Sequence, residues 1–292
     1  MQRATAWQTT KAQAVSISIF LIVLFAALLH ASWNAVIKLG GDRFQGMLLL
    51  SLSQGVMGLV MAIVFPLPAA AAWPWILASG LLHTAYKLFL GAAYGHGDLS
   101  RVYPIARGTA PMLVALVGVF ALSDQVTGLE YFAILLVGLG VLLMAQGVFA
   151  NGEARRLLPF AFGSAACTAG YSLVDGIGAR VALDASGFVG WMFFLDACFF
   201  AVAAAWWRGP LVFRASTKIW QKGILAGALS LGAYWIAVWA MTKAPIALVA
   251  SLRETSVLFA MIIGVVLMGE RADRGKWIAG GLILSGVIAM RL

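Results

Sequence analysis

Apolar stretches of about twenty residues recur ten times along this chain of 292 residues, and nothing else constrains its fold as strongly. They cover 15–38, 45–66, 71–95, 102–123, 128–149, 157–180, 186–207, 219–242, 247–268 and 274–291. A helix needs about 20 mostly apolar residues to cross the hydrocarbon of a bilayer. Lipid offers a backbone no hydrogen-bond partners, so each run is predicted to be helical. Barrel strands would show alternating segments of about ten residues instead. Turn and charge signals fall at most breaks: Gly40-Gly41-Asp42-Arg43, Pro66-Leu67-Pro68, Asn151-Gly152-Glu153, Arg208-Gly209-Pro210 and Gly269-Glu270-Arg271. The first run, preceded by Arg3 and Lys11, is read as a span, because it is longer than the apolar core of a signal peptide. The predicted fold is an all-α membrane protein of ten transmembrane helices.

Composition agrees. Hydrophobic residues make up 62% and charged residues 11%, against about 25% charged in a soluble domain. A soluble enzyme and a disordered chain are excluded. The net charge of +9 would suggest nucleic acid in a soluble protein. In a membrane protein such an excess belongs to cytoplasmic loops, so a lipid bilayer is the expected partner and nucleic acid is not. Loops after the odd spans hold Lys38, Arg43, Arg101, Arg155, Arg156, Arg208, Arg214, Lys218, Lys222, Arg271, Arg274 and Lys276. The other side holds Arg3, Lys11, Arg180, Lys243 and Arg291. The asymmetry predicts cytoplasmic odd loops and both termini on the opposite, periplasmic side. Cys167 and Cys198 have no metal or disulfide spacing and are expected to pack as small hydrophobes.

The chain also repeats itself. Placing Arg107 over Arg253, an offset of 146 residues, sets Asp124 on Glu270, Tyr131 on Trp277 and Gly140 on Gly286. After a two-residue gap Tyr86 falls on Tyr234; separately, near the start of each half, Trp33-Asn34 falls on Tyr171-Ser172. Two homologous halves are expected, 1–150 and 151–292, each of five spans. Five is odd, so the second half enters the membrane inverted, around a central cavity. Inverted repeats are a device of transporters that work by alternating access.

Six charged residues lie within apolar runs: Lys87, Arg107, Asp175, Asp196, Arg253 and Glu254. Each would cost about 2.5–3.5 kcal/mol at the bilayer centre, so they must face the bundle interior, pair, or line water. Helical spacing sets other polar and aromatic residues beside them. His30 and Asn34 share a face with Trp33 next to them, and His83 shares one with Lys87, beside Tyr86. Tyr103 falls with Arg107, and Tyr171 with Asp175; Trp239 lies a turn beyond Trp235. Converged on one cavity, these offer cations to a carboxylate, acids to an ammonium and rings to an apolar side chain. Arg107 or Arg253 would hold the carboxylate and Glu254 or Asp175 the ammonium. His83, Tyr103 and Tyr171 would touch the substrate, with Trp239 at the apolar end. Pro104 and Pro111 are expected to kink the fourth span, and Pro245 falls in the matching region of the second half. HExxH, GxSxG and GxxxxGK[ST] are all missing, so catalysis, a bound metal or cofactor and ATP as energy source are not expected.

The two five-span halves, Gly-Glu-Arg at 269–271 and the short final span resemble the EamA branch of the drug/metabolite transporter superfamily. His-Ala-Ser-Trp-Asn-Ala-Val-Ile-Lys at 30–38 and Tyr-Pro-Ile-Ala-Arg-Gly at 103–108 look like the YddG-type amino-acid exporters. The resemblance covers nearly the whole chain. It implies a bacterial inner-membrane exporter of amino acids, aromatic ones included, with a central cavity between halves and a monomer sufficient for transport. Small multidrug relatives carry a glutamate in their first helix; span 15–38 here has no acid. The alternative is a carrier of other small metabolites, such as sugar phosphates or cationic drugs. A membrane-embedded enzyme is disfavoured.

Overall fold

The computed structural model describes residues 16–40, 42–94, 107, 109–122, 124–144, 155–269 and 274–291. Eleven α-helices run through them, and no strand occurs among the described residues. They are α1 (Ile17–Lys38), α2 (Arg43–Val64), α3 (Trp73–Tyr94), α4 (Ala110–Ala121), α5 (Gly128–Leu143) and α6 (Leu158–Val181). The rest are α7 (Ala185–Arg208), α8 (Thr217–Met241), α9 (Ile246–Arg253), α10 (Thr255–Met268) and α11 (Arg274–Ala289). Among the described residues, six stretches are long and apolar enough to cross a membrane: α1, α2, α7, α8, Ala70–Ala93 and Ile246–Leu267, the last joining α9 and α10. Shorter apolar helices occupy the fourth and fifth expected runs. The sixth run forms the 24-residue α6, whose buried face carries Ser164, Thr168, Tyr171, Ser172 and Asp175.

Local chemistry explains the helix ends. The Asp42 side chain accepts from the amides of Phe44 and Gln45 at the start of α2, Asp184 caps α7 in the same way, and Thr127 with Glu130 forms a capping box on α5. Gly209 (φ 77°) ends α7, and Gly269 (φ 66°, left-handed) ends α10. A side chain at either position would strain the backbone.

The expected kinks take a different form. Pro111 sits in the first turn of α4 and Pro245 at the N-cap of α9, where a missing N–H costs nothing. Each starts a helix instead of bending one; Pro104 lies outside the described residues. The ninth run breaks deeper, at Glu254, whose backbone (φ −70°, ψ −11°) closes α9 and opens α10.

The molecule is apolar outside and polar inside. Leu21, Phe25, Val60, Ile63, Val202 and Val266 are exposed, whereas Lys87, Arg107, Asp175, Asp196, Arg253 and Glu254 are all buried. A surface like this suits lipid, and charges like these need partners away from it. These are the features of a multi-pass membrane protein. Cys198 departs from its expected place: it is exposed on α7 rather than in the core, while Cys167 is half-buried.

Helix pairing follows a regular scheme. α2 packs on α7, α5 on α11, α3 on α6 and α1 on α8. Further contacts join α8 to α2, α7 to α3, α10 to α1 and α4 to α6. Glycines permit the closest approaches. A Cβ on Gly140 would come within 2.8 Å of Ile283 and 2.9 Å of the Ala279 carbonyl oxygen. One on Gly286 would come within 2.7 Å of Val137 and 2.8 Å of the Ala133 carbonyl oxygen. On α8, Gly223 and Gly227 lie in the same way against Leu49 and Ser53 of α2.

Substituting Gly140 or Gly286 with leucine should therefore force α5 and α11 apart and cost about 1–3 kcal/mol, as overpacking does. Leucine at Gly281, which faces open space, should be nearly neutral. Thermal unfolding of detergent-purified protein compares the three, and equal losses would refute the close approach.

Candidate functional site

A cavity lies where α1, α2, α3 and Arg107 meet α6 to α9. Its wall is made by His30, Trp33, Met47, Leu50, Gln54, His83, Tyr86, Lys87, Arg107, Tyr171, Phe193, Ser230, Tyr234 and Arg253. The space bounded by these residues holds about 50 Å³, enough for a few waters at about 10–15 Å³ each. Ligand pockets run to about 300–1,000 Å³, so the space as it stands is too small for a drug-sized molecule.

Sequence reasoning brought seven of these residues forward as substrate contacts: Trp33, His83, Tyr86, Lys87, Arg107, Tyr171 and Arg253. Tyr103 lies outside the described residues. Asn34 is off the wall, its side-chain amide donating to the His30 carbonyl at 2.8 Å. Trp239 packs half-buried with the apolar cluster that includes Ala240, Ile246 and Leu248, away from the wall. Asp175 and Glu254 lie behind the wall, each held by a residue on it. Of the others, His30 shares a helical face with Asn34 beside Trp33, and Tyr234 is the repeat partner of Tyr86. Met47, Leu50, Gln54, Phe193 and Ser230 carry no such signal, because apolar and small polar residues recur on every face of these helices.

Three acids meet the wall from behind. Asp175 is 0% exposed; its Oδ2 lies 3.1 Å from His83 Nε2 and accepts a hydrogen bond from the Tyr234 hydroxyl. Asp196, also 0% exposed, pairs with Lys87 and accepts from the Thr84 hydroxyl at 3.3 Å. Lys87 donates a second bond to Ser51 at 2.6 Å. Glu254 pairs with Arg107 at 3.0 Å. Arg253 stands apart: no carboxylate pairs with it among the described residues. Its guanidinium rests over the Tyr234 ring, 4.7 Å from the centroid, in a cation–π contact.

The rings form a connected group. His83 stacks on Tyr171 with centroids 4.0 Å apart and meets Tyr234 edge-on at 5.1 Å. Tyr171 meets Tyr86 and Tyr234 edge-on, at 5.8 and 5.9 Å. The Trp33 indole donates to His30 Nδ1 at 3.2 Å. The arrangement provides aromatic faces, a cationic edge and hydroxyls, with the acids withdrawn.

Removing one member of a buried ion pair strands the other at a cost of about 3–5 kcal/mol. Lys87→Met should destabilise by that order, and Lys87→Met with Asp196→Leu should recover most of the loss. Thermal stability of the single and double variants measures it, and additive losses would show that the two charges do not depend on each other.

A model of the EamA-like transporter family matches residues 156–292. A solved structure, described only as the crystal structure of a protein, is 19% identical over 94% of this chain and 98% of its own, with a TM-score of 0.75. At that identity the likeness is one of fold. No curated protein sequence matches the chain. The second half of the chain is thus similar to the EamA-like transporter family, and this match supports a place in the drug/metabolite transporter superfamily, whose EamA-type members are membrane transporters of small molecules and not enzymes.

Proposed function

We propose that the chain is an inner-membrane exporter of amino acids, aromatic ones included, that works by alternating access without ATP. The observation that carries this reading is the wall of the cavity. Trp33, Tyr86, Tyr171, Phe193 and Tyr234 surround a space into which Arg253 presents a cation with no carboxylate partner among the described residues. Rings suit an apolar or aromatic side chain, and a guanidinium suits a carboxylate. His83, Tyr103, Tyr171 and Arg253 are the proposed contacts, with Trp33, Tyr86, Lys87 and Arg107 completing the site. Asn34, Asp175 and Glu254 act from behind it, while Trp239 packs in a separate apolar cluster.

The ten-span architecture in two inverted halves, 1–150 and 151–292, belongs to the same proposal. It is supported by the pairing of α3 with α6 and α1 with α8, and by self-matched contacts of α2 with α7 and α5 with α11. The offset of 146 residues turns Ala133, Val137 and Gly140 into Ala279, Ile283 and Gly286, the partners these glycines meet. The charge count supports periplasmic termini. Both termini should then give active alkaline phosphatase fusions, and a bright green fluorescent protein fused at the C-terminus would reverse the orientation.

A second reading, a carrier of phosphorylated or other anionic metabolites, is favoured by the three cations Lys87, Arg107 and Arg253 on the wall. Cationic drugs fit poorly, because no acid lines the space among the described residues. Uptake of labelled phenylalanine and of a labelled sugar phosphate into proteoliposomes separates the readings.

Replacing Tyr171 with alanine should slow export of tryptophan and phenylalanine more than that of alanine or threonine, by up to about tenfold, the equivalent of a ring contact of about 0.5–1.5 kcal/mol. Export-sensitive cells at matched expression provide the comparison. Equal loss for large and small substrates would leave Tyr171 a packing residue.

A further inference from the structure

We infer that the cavity recognises its substrate by the carboxylate and leaves the ammonium group unread, so that aromatic carboxylic acids lacking an α-amino group share the site. The inference rests on the exporter reading above and narrows it to a ligand chemistry. Arg253 is the anchor.

The argument is one of elimination among the buried charges. Lys87 is committed to Asp196 and Ser51, and Arg107 to Glu254. Arg253 alone among these three cations has no acid within ion-pair distance among the described residues, and it lies on the wall. Its contact with Tyr234 uses the ring face, which engages no N–H donor. The fork of guanidinium N–H groups stays available for a planar, bidentate carboxylate. Tyr234 is itself fixed, its hydroxyl donating to Asp175, so the platform under Arg253 is rigid.

An ammonium group finds nothing comparable. None of the described wall residues is Asp or Glu. Asp175 is fully buried behind His83 and Tyr234, Asp196 is held by Lys87 and Thr84, and Glu254 by Arg107. Asp175 Oδ1 and Glu254 Oε2 have no hydrogen-bond partner among the described residues, but both acids are buried behind the wall and neither lines the space. The wall around Arg253 instead offers the rings of Trp33, Tyr86, Tyr171 and Phe193. An aromatic carboxylate satisfies both features and asks for nothing else.

The test is competition against counterflow of labelled phenylalanine in proteoliposomes of the full chain. Phenylpropionate keeps the ring and the carboxylate; phenylalaninol keeps the ring and the ammonium. Phenylpropionate should compete within about threefold of unlabelled phenylalanine. Phenylalaninol should be weaker by about 10- to 100-fold, the worth of a charge-assisted bidentate bond. Arg253→Lys, which retains the charge and loses the fork, should weaken phenylalanine and phenylpropionate together by about tenfold. The analogue series on the unaltered protein stands even where a variant folds poorly. Phenylalaninol competing as well as phenylalanine, with phenylpropionate inert, would overturn the inference and leave the exporter reading intact. Counterflow no faster than in protein-free liposomes would overturn that reading and the inference with it.

Discussion

Every charge that falls within an apolar run of this protein has to be settled inside the bundle. Lipid supplies no water to solvate a stranded ion, and a charge facing the hydrocarbon centre costs several kcal/mol. The six ionisable residues that interrupt the apolar runs are accordingly buried, and five of them are held through specific partners: Lys87 with Asp196, Arg107 with Glu254, Asp175 with His83 and Tyr234. Helix order, helix faces and the place of the cavity are consequences of satisfying these groups at once. Arg253, with no carboxylate partner among the described residues, rests on the Tyr234 ring and looks onto the cavity.

Much of the fold was legible because lipid makes the sequence signal strong. Apolar run length alone located the helices, and Asp42, Gly209 and Gly269 end or begin helices where the turn signals fell. The offset of 146 residues turned up again in the packing of Gly140 and Gly286. The deep break at Glu254 was missed. Proline is the obvious breaker in a sequence, yet Pro111 and Pro245 sit where a helix tolerates them. Nothing in the letters Arg-Glu-Thr announces a chain that stops one helix and starts another.

The site was legible by residue type and only partly by role. Spacing of four put His83 with Lys87 and Tyr171 with Asp175, and His83 meets both Tyr171 and Asp175. It could not say which acid answers which base, because that depends on contacts between helices far apart in the chain. Asp196, set among phenylalanines in the sequence, is the partner of Lys87. Trp239 looked like the end of an apolar pocket because it follows Trp235 by one turn. Its ring packs instead against a different apolar cluster, since a helix surrounded by neighbours has no unique inner face.

The same pairs constrain how the cavity can open. Lys87–Asp196 ties α3 to α7, and His83, Asp175 and Tyr234 tie α3 to α6 and α8. Arg107–Glu254 ties the entry of α4 to the break between α9 and α10. Towards the ends of α6 and α8, Arg180 holds both oxygens of Asp124 at 2.7 and 3.1 Å and donates to the Met241 and Ala244 carbonyls. Asp124 in turn accepts from the Ile246 amide. Parting a deep pair without admitting water would cost about 3–5 kcal/mol, comparable to a large share of the stability of a typical domain. A movement that enlarges a 50 Å³ space enough for a substrate must either carry these pairs along as units or flood them as it opens. The Arg180–Asp124 contact is less deeply buried, with 19% and 14% of its side chains exposed, so water can replace its bonds most easily.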